Sequence, residues 1–185
     1  LIVYAADAYR NAFVEAVIQI PVPRWAHTED AGIDGLFYDV MREKRAALTH
    51  SPGANAPEVA EVAFGFVLWS AKNLGELREH QREHRWKTLR LDGLSDKTML
   101  IVGLGAIGSR VATYGKAFGM RVLGIRRSTE AVANVDRQGT IANFSAFLPE
   151  ADFLVLALPI APEVVGLIDQ RALALMKRTA TLINV

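Results

Sequence analysis

Apolar residues fall along this chain of 185 residues in two rhythms. Beyond residue 97, the short apolar runs TMLIV, MRVLGI, DFLVLALP and TLINV alternate with AIGSRVATYGKAF, SAFLPEA and DQRALALMK, which carry helical spacing. Near-continuous apolar runs of strand length predict strands buried on both faces, and their alternation with helices predicts a parallel sheet built through crossovers. Before residue 55 the pattern is looser. LIVY reads as a strand, AYRNAFVEAVIQI as a helix, RWAHT as a short strand after Pro21 and Pro23, AGIDGLFYDV as a turn and short helix, and AALTHS as a strand. The fold class is α/β throughout.

Between these parts lies the longest predicted helix. Asn55 can cap it, Glu58 stands where a capping box needs it, and Pro57 is tolerated in a first turn. From Val59 to Ala71 the helix is apolar on nearly every side, which predicts burial all round, between two packed units. From Lys72 the chain turns charged, and LREHQREHRWKTLR is expected as a solvated continuation. LRLDGLSDK reads as a linker. We expect residues 1–78 to form part of one domain, including the start of the helix between domains, and residues 79–185 to form the other. Strand patterns at both ends, LIVY and TLINV, suggest a piece of a longer protein.

Composition narrows the function more by exclusion than by indication. A net charge of +1 gives no general attraction to nucleic acid or to a membrane. The longest uncharged apolar run in the helical candidate, Val62 to Ala71, falls far short of the ~20 residues needed to span a bilayer. No basic leader precedes the first apolar residues. The chain has no cysteine, which excludes disulfides and cysteine metal sites and fits a reducing, cytoplasmic setting.

The stretch TMLIVGLGAIGSR brings chemistry. Gly103, Gly105 and Gly108 follow a predicted strand and open a predicted helix, the context that a G-x-G-x-x-G spacing needs to mean dinucleotide binding. Gly103 allows the tight turn, Gly105 lets the backbone approach a pyrophosphate, and Gly108 lets helix and strand pack closely. The helix N-terminus presents N–H groups to the phosphates. The sheet is therefore expected to be of Rossmann type.

Between Lys97 and Thr129 there are six Lys or Arg and no Asp or Glu. Arg110, Lys116 and Arg121 read as solvated surface. Arg126 and Arg127 end the second strand, about 20 residues past the glycines, where NAD-binding domains place an acid for the ribose 2′-hydroxyl. Guanidinium groups there can hold a 2′-phosphate through paired charge-assisted bonds, and Ser128 can add a donor. NADP is the expected cofactor, with NAD the alternative.

Across RWAHTEDAGID, LTHSPGANAPEVAEVAF, KTMLIVGLGAIGSRVATYGKAFGMRVLGIRRS and EADFLVLALPIAPEVVGLIDQRALALMKRTATLINV, the chain resembles the D-isomer-specific 2-hydroxyacid dehydrogenases. The resemblance implies hydride transfer between NAD(P)H and a small 2-keto or 2-hydroxy acid. It implies a flavodoxin-like substrate-binding domain, of which the start is missing, and an inserted NAD(P)-binding domain, with the active site in a cleft between them. It also implies a homodimer. Within it, Ala31 and Gly32 match the loop whose N–H groups hold the substrate carboxylate, and Ala106 and Ile107 match the pair over the pyrophosphate. Leu158 and Pro159 match the strand end lining the adenosine side, and Val185 falls beneath the nicotinamide. Val164 stands where the family often has Thr, and Arg126 departs from the acid of NAD-type members. The family's carboxylate-clamping Arg and its Glu and His acid/base pair are expected beyond Val185, so no catalytic residue is assigned here and the fragment alone is expected to be inactive. Hydride transfer to a ketone also needs a proton donor, and no histidine follows His84.

Two other readings compete. HQREH, residues 80–84, matches the zinc-peptidase pattern H-x-x-E-H, but Arg78, Arg82 and Arg85 crowd the same turns and would repel a dication. No metal site is assigned, and His27 and His50 read as packing or hydrogen-bonded residues. The second rival is a non-catalytic, corepressor-like sensor of dinucleotides on the same scaffold, since a fold does not specify a function.

Overall fold

The computed structural model describes residues 15, 19–28, 36–159, 161 and 164–185, and the chain divides into two compact units, 1–55 and 56–185. The predicted LIVY strand and most of the predicted AYRNAFVEAVIQI helix lie outside the described residues.

In the first unit, β1 (Trp25–Thr28) pairs in parallel with β2 (Ala47–His50), and α1 (Leu36–Glu43) lies between them in the chain. Among its described residues, Ala26 and Met41 are the fully buried apolar ones. Thr49 ties the pair together: its hydroxyl accepts from Trp25 Nε1 at 2.8 Å and meets His27 Nδ1 at 2.8 Å. The other nitrogen of His27 lies 3.1 Å from Ser51 Oγ, so this ring has a hydrogen-bonding partner at each nitrogen.

The second unit is a five-stranded parallel sheet, in the order β5–β4–β3–β6–β7. Its strands are β3 (Thr98–Val102), β4 (Arg121–Ile125), β5 (Arg137–Gly139), β6 (Phe153–Leu156) and β7 (Thr181–Asn184). Because side chains alternate across a strand, each apolar run serves both faces. Met99, Ile101, Val122, Phe153 and Val155 pack on one face under α2 (Ala56–Ala71) and α4 (Ala106–Ala117). Leu100, Val102, Leu123, Ile125 and Leu154 pack on the other, against Phe144, Phe147 and Leu148 and against Ala172 of α5 (Gln170–Leu175). Asp169 caps α5 by accepting from Ala172 N at 2.7 Å. The SAFLPEA segment is present as two short 3-10 turns, Ile141–Ala146 and Leu148–Glu150.

Three expectations change. Helix α2 is apolar nearly all round, yet only one face is buried: Ala60, Ala63, Phe64 and Val67 are inside, while Val62, Phe66 and Trp69 remain 55%, 54% and 45% exposed. The charged stretch is also no continuation of it. Asn73 adopts φ 45°, ends the first helix and starts a separate one, α3 (Leu74–Arg82). Third, β5 was not expected, because RQG has no apolar run to mark it. Among the described residues, no helix is long and apolar enough to cross a membrane.

Candidate dinucleotide site

All strands of the larger sheet run the same way, so their C-terminal ends share one rim. From the central β3 the chain moves outward to β4 and β5, then returns for β6 on the other side of β3. A crevice opens at such a reversal, where ligands of doubly wound sheets bind. Gly103 to Gly108 lie there, immediately after β3.

The glycines of that turn differ in what requires them. Gly103 has φ 97°, and a Cβ on it would stand 2.2 Å from the carbonyl oxygen of Ala157. A Cβ on Gly108 would lie 1.9 Å from Gly103 O. Both obstacles are backbone, so the fold itself excludes side chains at these positions. Gly105 has neither constraint. It sits at the N-cap of α4 with φ −81°, and a Cβ there would meet nothing within 4 Å. Among the described residues nothing demands a glycine at 105, and none of them fills the space beside it.

That space faces an uncompensated helix end. Ala106 and Ile107 begin α4; no side chain caps the helix and no acid stands in its first turn. Its free N–H groups and positive dipole end suit an anion.

Arg126, Arg127 and Leu158 line a mainly apolar cavity of about 260 Å³ together with Val102, Ile125, Thr140, Ile141, Ala142 and Val164. Arg126 Nη1 donates to the backbone oxygen of Glu130 at 3.3 Å, a contact that leaves its charge uncancelled. Other cations of the basic stretch are paired away from the rim, Lys97 and Arg121 at the N-terminal ends of β3 and β4: Lys97 with Asp92, Lys116 with Asp136 and Arg121 with Glu150, each within 2.8 Å. Hydrogen bonding to Lys116, and then to Val122 N–H, holds the Asp136 carboxyl below the usual carboxylate range. Glu150 is held down likewise, chiefly by Arg137. Ser128 Oγ accepts from Glu130 N at 3.2 Å, which leaves its O–H able to donate outward.

Leu158 and Pro159 follow β6, and with Val164 and Asn184 they line a second cavity on the same rim. Val185 extends β7, its N–H donating to Leu156 O at 3.1 Å. The rim thus gathers Gly103, Gly105, Ala106, Ile107, Arg126, Arg127, Ser128, Leu158, Pro159 and Val185, with Gly108 buried just behind in the first turn of α4. Ala31 and Gly32 lie outside the described residues. Thr140, Ile141 and Ala142 also line the arginine cavity, although sequence reasoning passed over them. They arrive there because β5 pairs with β4, and no local pattern signals that.

His80 and His84 do not form a two-imidazole face. His80 is buried in α3 with Nε2 at 3.2 Å from Glu76 Oε1. His84 lies past the end of the helix at φ 52°.

The family described as D-isomer specific 2-hydroxyacid dehydrogenase, NAD binding domain, matches residues 64–185. A glyoxylate reductase of Thermococcus litoralis is 30% identical over an alignment 162 residues long that covers 83% of this chain and 49% of that protein. Among solved structures, a D-isomer specific 2-hydroxyacid dehydrogenase family protein from Aeromonas salmonicida is 30% identical. It superposes with a TM-score of 0.81 over 99% of this chain and 58% of its own. A D-lactate dehydrogenase from Aquifex aeolicus, solved with NAD and lactic acid, is 26% identical with a TM-score of 0.81, over 99% of this chain and 55% of its own. The chain thus spans about half the length of these relatives, and 30% of a matching D-3-phosphoglycerate dehydrogenase from Methanocaldococcus jannaschii.

Proposed function

Because this chain belongs to the D-isomer specific 2-hydroxyacid dehydrogenase family, we propose that it supplies the dinucleotide-binding part of an oxidoreductase that uses NADP(H) and a small 2-keto or 2-hydroxy acid. One observation carries the reading. Gly105 is a glycine that the fold does not need, beside open space at an uncapped helix N-terminus. A pyrophosphate approaching the backbone there gives that glycine its reason.

When bound, the nicotinamide supplies or accepts the hydride. The residues of this chain bind and orient. The first N–H groups of α4, at Ala106 and Ile107, hold the pyrophosphate, and Leu158 and Pro159 line the adenosine side. Arg126 and Arg127, with the Ser128 hydroxyl, receive a 2′-phosphate, which favours NADP over NAD. Val185 lies beneath the nicotinamide, and the N–H groups of Ala31 and Gly32 take the substrate carboxylate. Residues 1–78 serve the substrate side and 79–185 the cofactor side, in a cytoplasmic homodimer. Glyoxylate or hydroxypyruvate is the substrate to try first, in keeping with the glyoxylate reductase among the relatives.

Titration of the full-length protein with NADPH and NADH tests this. NADPH should bind more tightly, and Arg126→Asp should weaken it by ~1.5–3 kcal/mol, the scale of a hydrogen bond to a charged group. Equal affinities in the unmutated protein would remove the NADP assignment. Failure to bind either nucleotide would remove the dinucleotide site itself.

A further inference from the structure

We propose that Gln138 is a positioning residue for cofactor discrimination, acting through the loop that carries Arg126, Arg127 and Ser128; the proposal rests on the NADP reading above. From β5, the half-buried Gln138 reaches across to this loop. Its Nε2 donates to Ser128 O at 3.2 Å and to Glu130 O at 2.9 Å. Both hydrogens of one amide nitrogen thus close the loop from its far side. The orientation of the amide is not arbitrary. Its Oε1 is buried with no partner, and turning the amide over would press that oxygen against two carbonyl oxygens. An unmet buried acceptor is costly, so the donor pair is what holds the side chain there.

Gln138 and Arg126 share one acceptor. Glu130 O receives Gln138 Nε2 and also Arg126 Nη1. A 2′-phosphate would draw the guanidinium off that carbonyl. Glu130 O would then keep its bond to Gln138, so Arg126 can turn to the ligand without stranding the carbonyl or releasing the loop. The backbone bond from Arg126 N to Gly139 O, 3.1 Å, anchors the base of the loop meanwhile. Gln138 therefore makes the exchange of partners by Arg126 inexpensive, and it lines neither of the two rim cavities described above.

The test is Gln138→Met, which keeps length and loses both donors, with Gln138→Glu as a second variant that sets a carboxylate against the two carbonyls. Dissociation constants for NADPH and NADH and hydrogen exchange of the 126–131 amides are read in the full-length protein. NADPH should weaken about tenfold in either variant that stays folded, on the scale of a bond to a charged group. NADH should stay within about twofold on the same scale, while exchange in the loop quickens. Equal weakening of both nucleotides would show a merely structural role and overturn the proposal. A preference for NADPH that both substitutions leave unchanged, or unchanged exchange in the loop, overturns the role of Gln138 alone. An unmutated protein without preference overturns the NADP reading and this inference with it.

Discussion

The turn after β3 and the loop after β4 stand on the same rim but are held in different ways. Backbone sterics shape the turn: side chains at Gly103 and Gly108 would strike carbonyl oxygens. The loop is shaped by side-chain hydrogen bonds, from Arg126 to Glu130 O and from Gln138 to Ser128 O and Glu130 O. A part fixed by backbone tolerates no variation and suits the pyrophosphate that every dinucleotide carries. A part fixed by exchangeable side chains can be retuned, and suits the group that distinguishes one dinucleotide from another.

The contrast breaks most visibly within the turn. Gly108→Val places a Cβ on Gly103 O, and relief requires the helix to leave the sheet. We expect a loss above about 4 kcal/mol, the range of severe core disruption, read as collapse of the urea transition. A variant with ordinary stability would show that the turn is not sterically fixed. Gly105→Val should do the opposite. Dinucleotide affinity should fall by more than about a hundredfold, ~2.7 kcal/mol, while circular dichroism and melting stay near those of the unmutated protein. Unchanged affinity would make Gly105 structural like its neighbours.

The N-terminal end of the strands, opposite the rim, sharpens the comparison between rim and scaffold. Asp136 accepts from Lys116 Nζ at 2.8 Å and from Val122 N at 2.7 Å. Asp136→Ala should cost about 1 kcal/mol of stability with cofactor affinity unchanged. Because the folded pKa of this carboxyl is lowered, its contribution is complete above the unfolded value near 3.9 and is lost as pH falls through the lower, folded one. The stability gap between unmutated protein and variant should therefore close only in acid below about pH 4. A gap that closed near neutrality would implicate another group. The smallest effect concerns His80 and His84. With His84 beyond the helix end, zinc or a chelator should leave the melting temperature alone, and stoichiometric zinc in the purified protein would reverse that view.

Strands β3, β4 and β6 were legible because burial on both faces demands apolar residues along nearly their whole length, and β7, of which only Ile183 is buried, was legible from its short apolar run. Strand β5 was not. Its residues Arg137, Gln138 and Gly139 are held by pairing with β4, by the ion pair of Arg137 with Glu150 and by the guanidinium stacked 4.3 Å from the Phe147 ring centroid. All of these come from residues distant in the chain. Helix α2 misled for a related reason: an all-round apolar pattern reports what a helix can bury, whereas its neighbours decide what it does bury. Its exposed Val62, Phe66 and Trp69 have the same sequence character as its buried face.

The amino-acid sequence by itself determined the alternating α/β order, the glycine turn between strand and helix, and the two arginines at the next strand end. Burial on both faces and a turn without side chains leave signatures within a few consecutive residues. Only the tertiary structure separated Gly105 from Gly103 and Gly108, since the difference lies in what a Cβ would meet. It alone brought Gln138, Thr140, Ile141 and Ala142 to the arginine loop, because pairing of an edge strand joins residues that no local pattern connects. It alone set His84 outside the helix of His80, where a left-handed backbone outweighs the spacing of the letters.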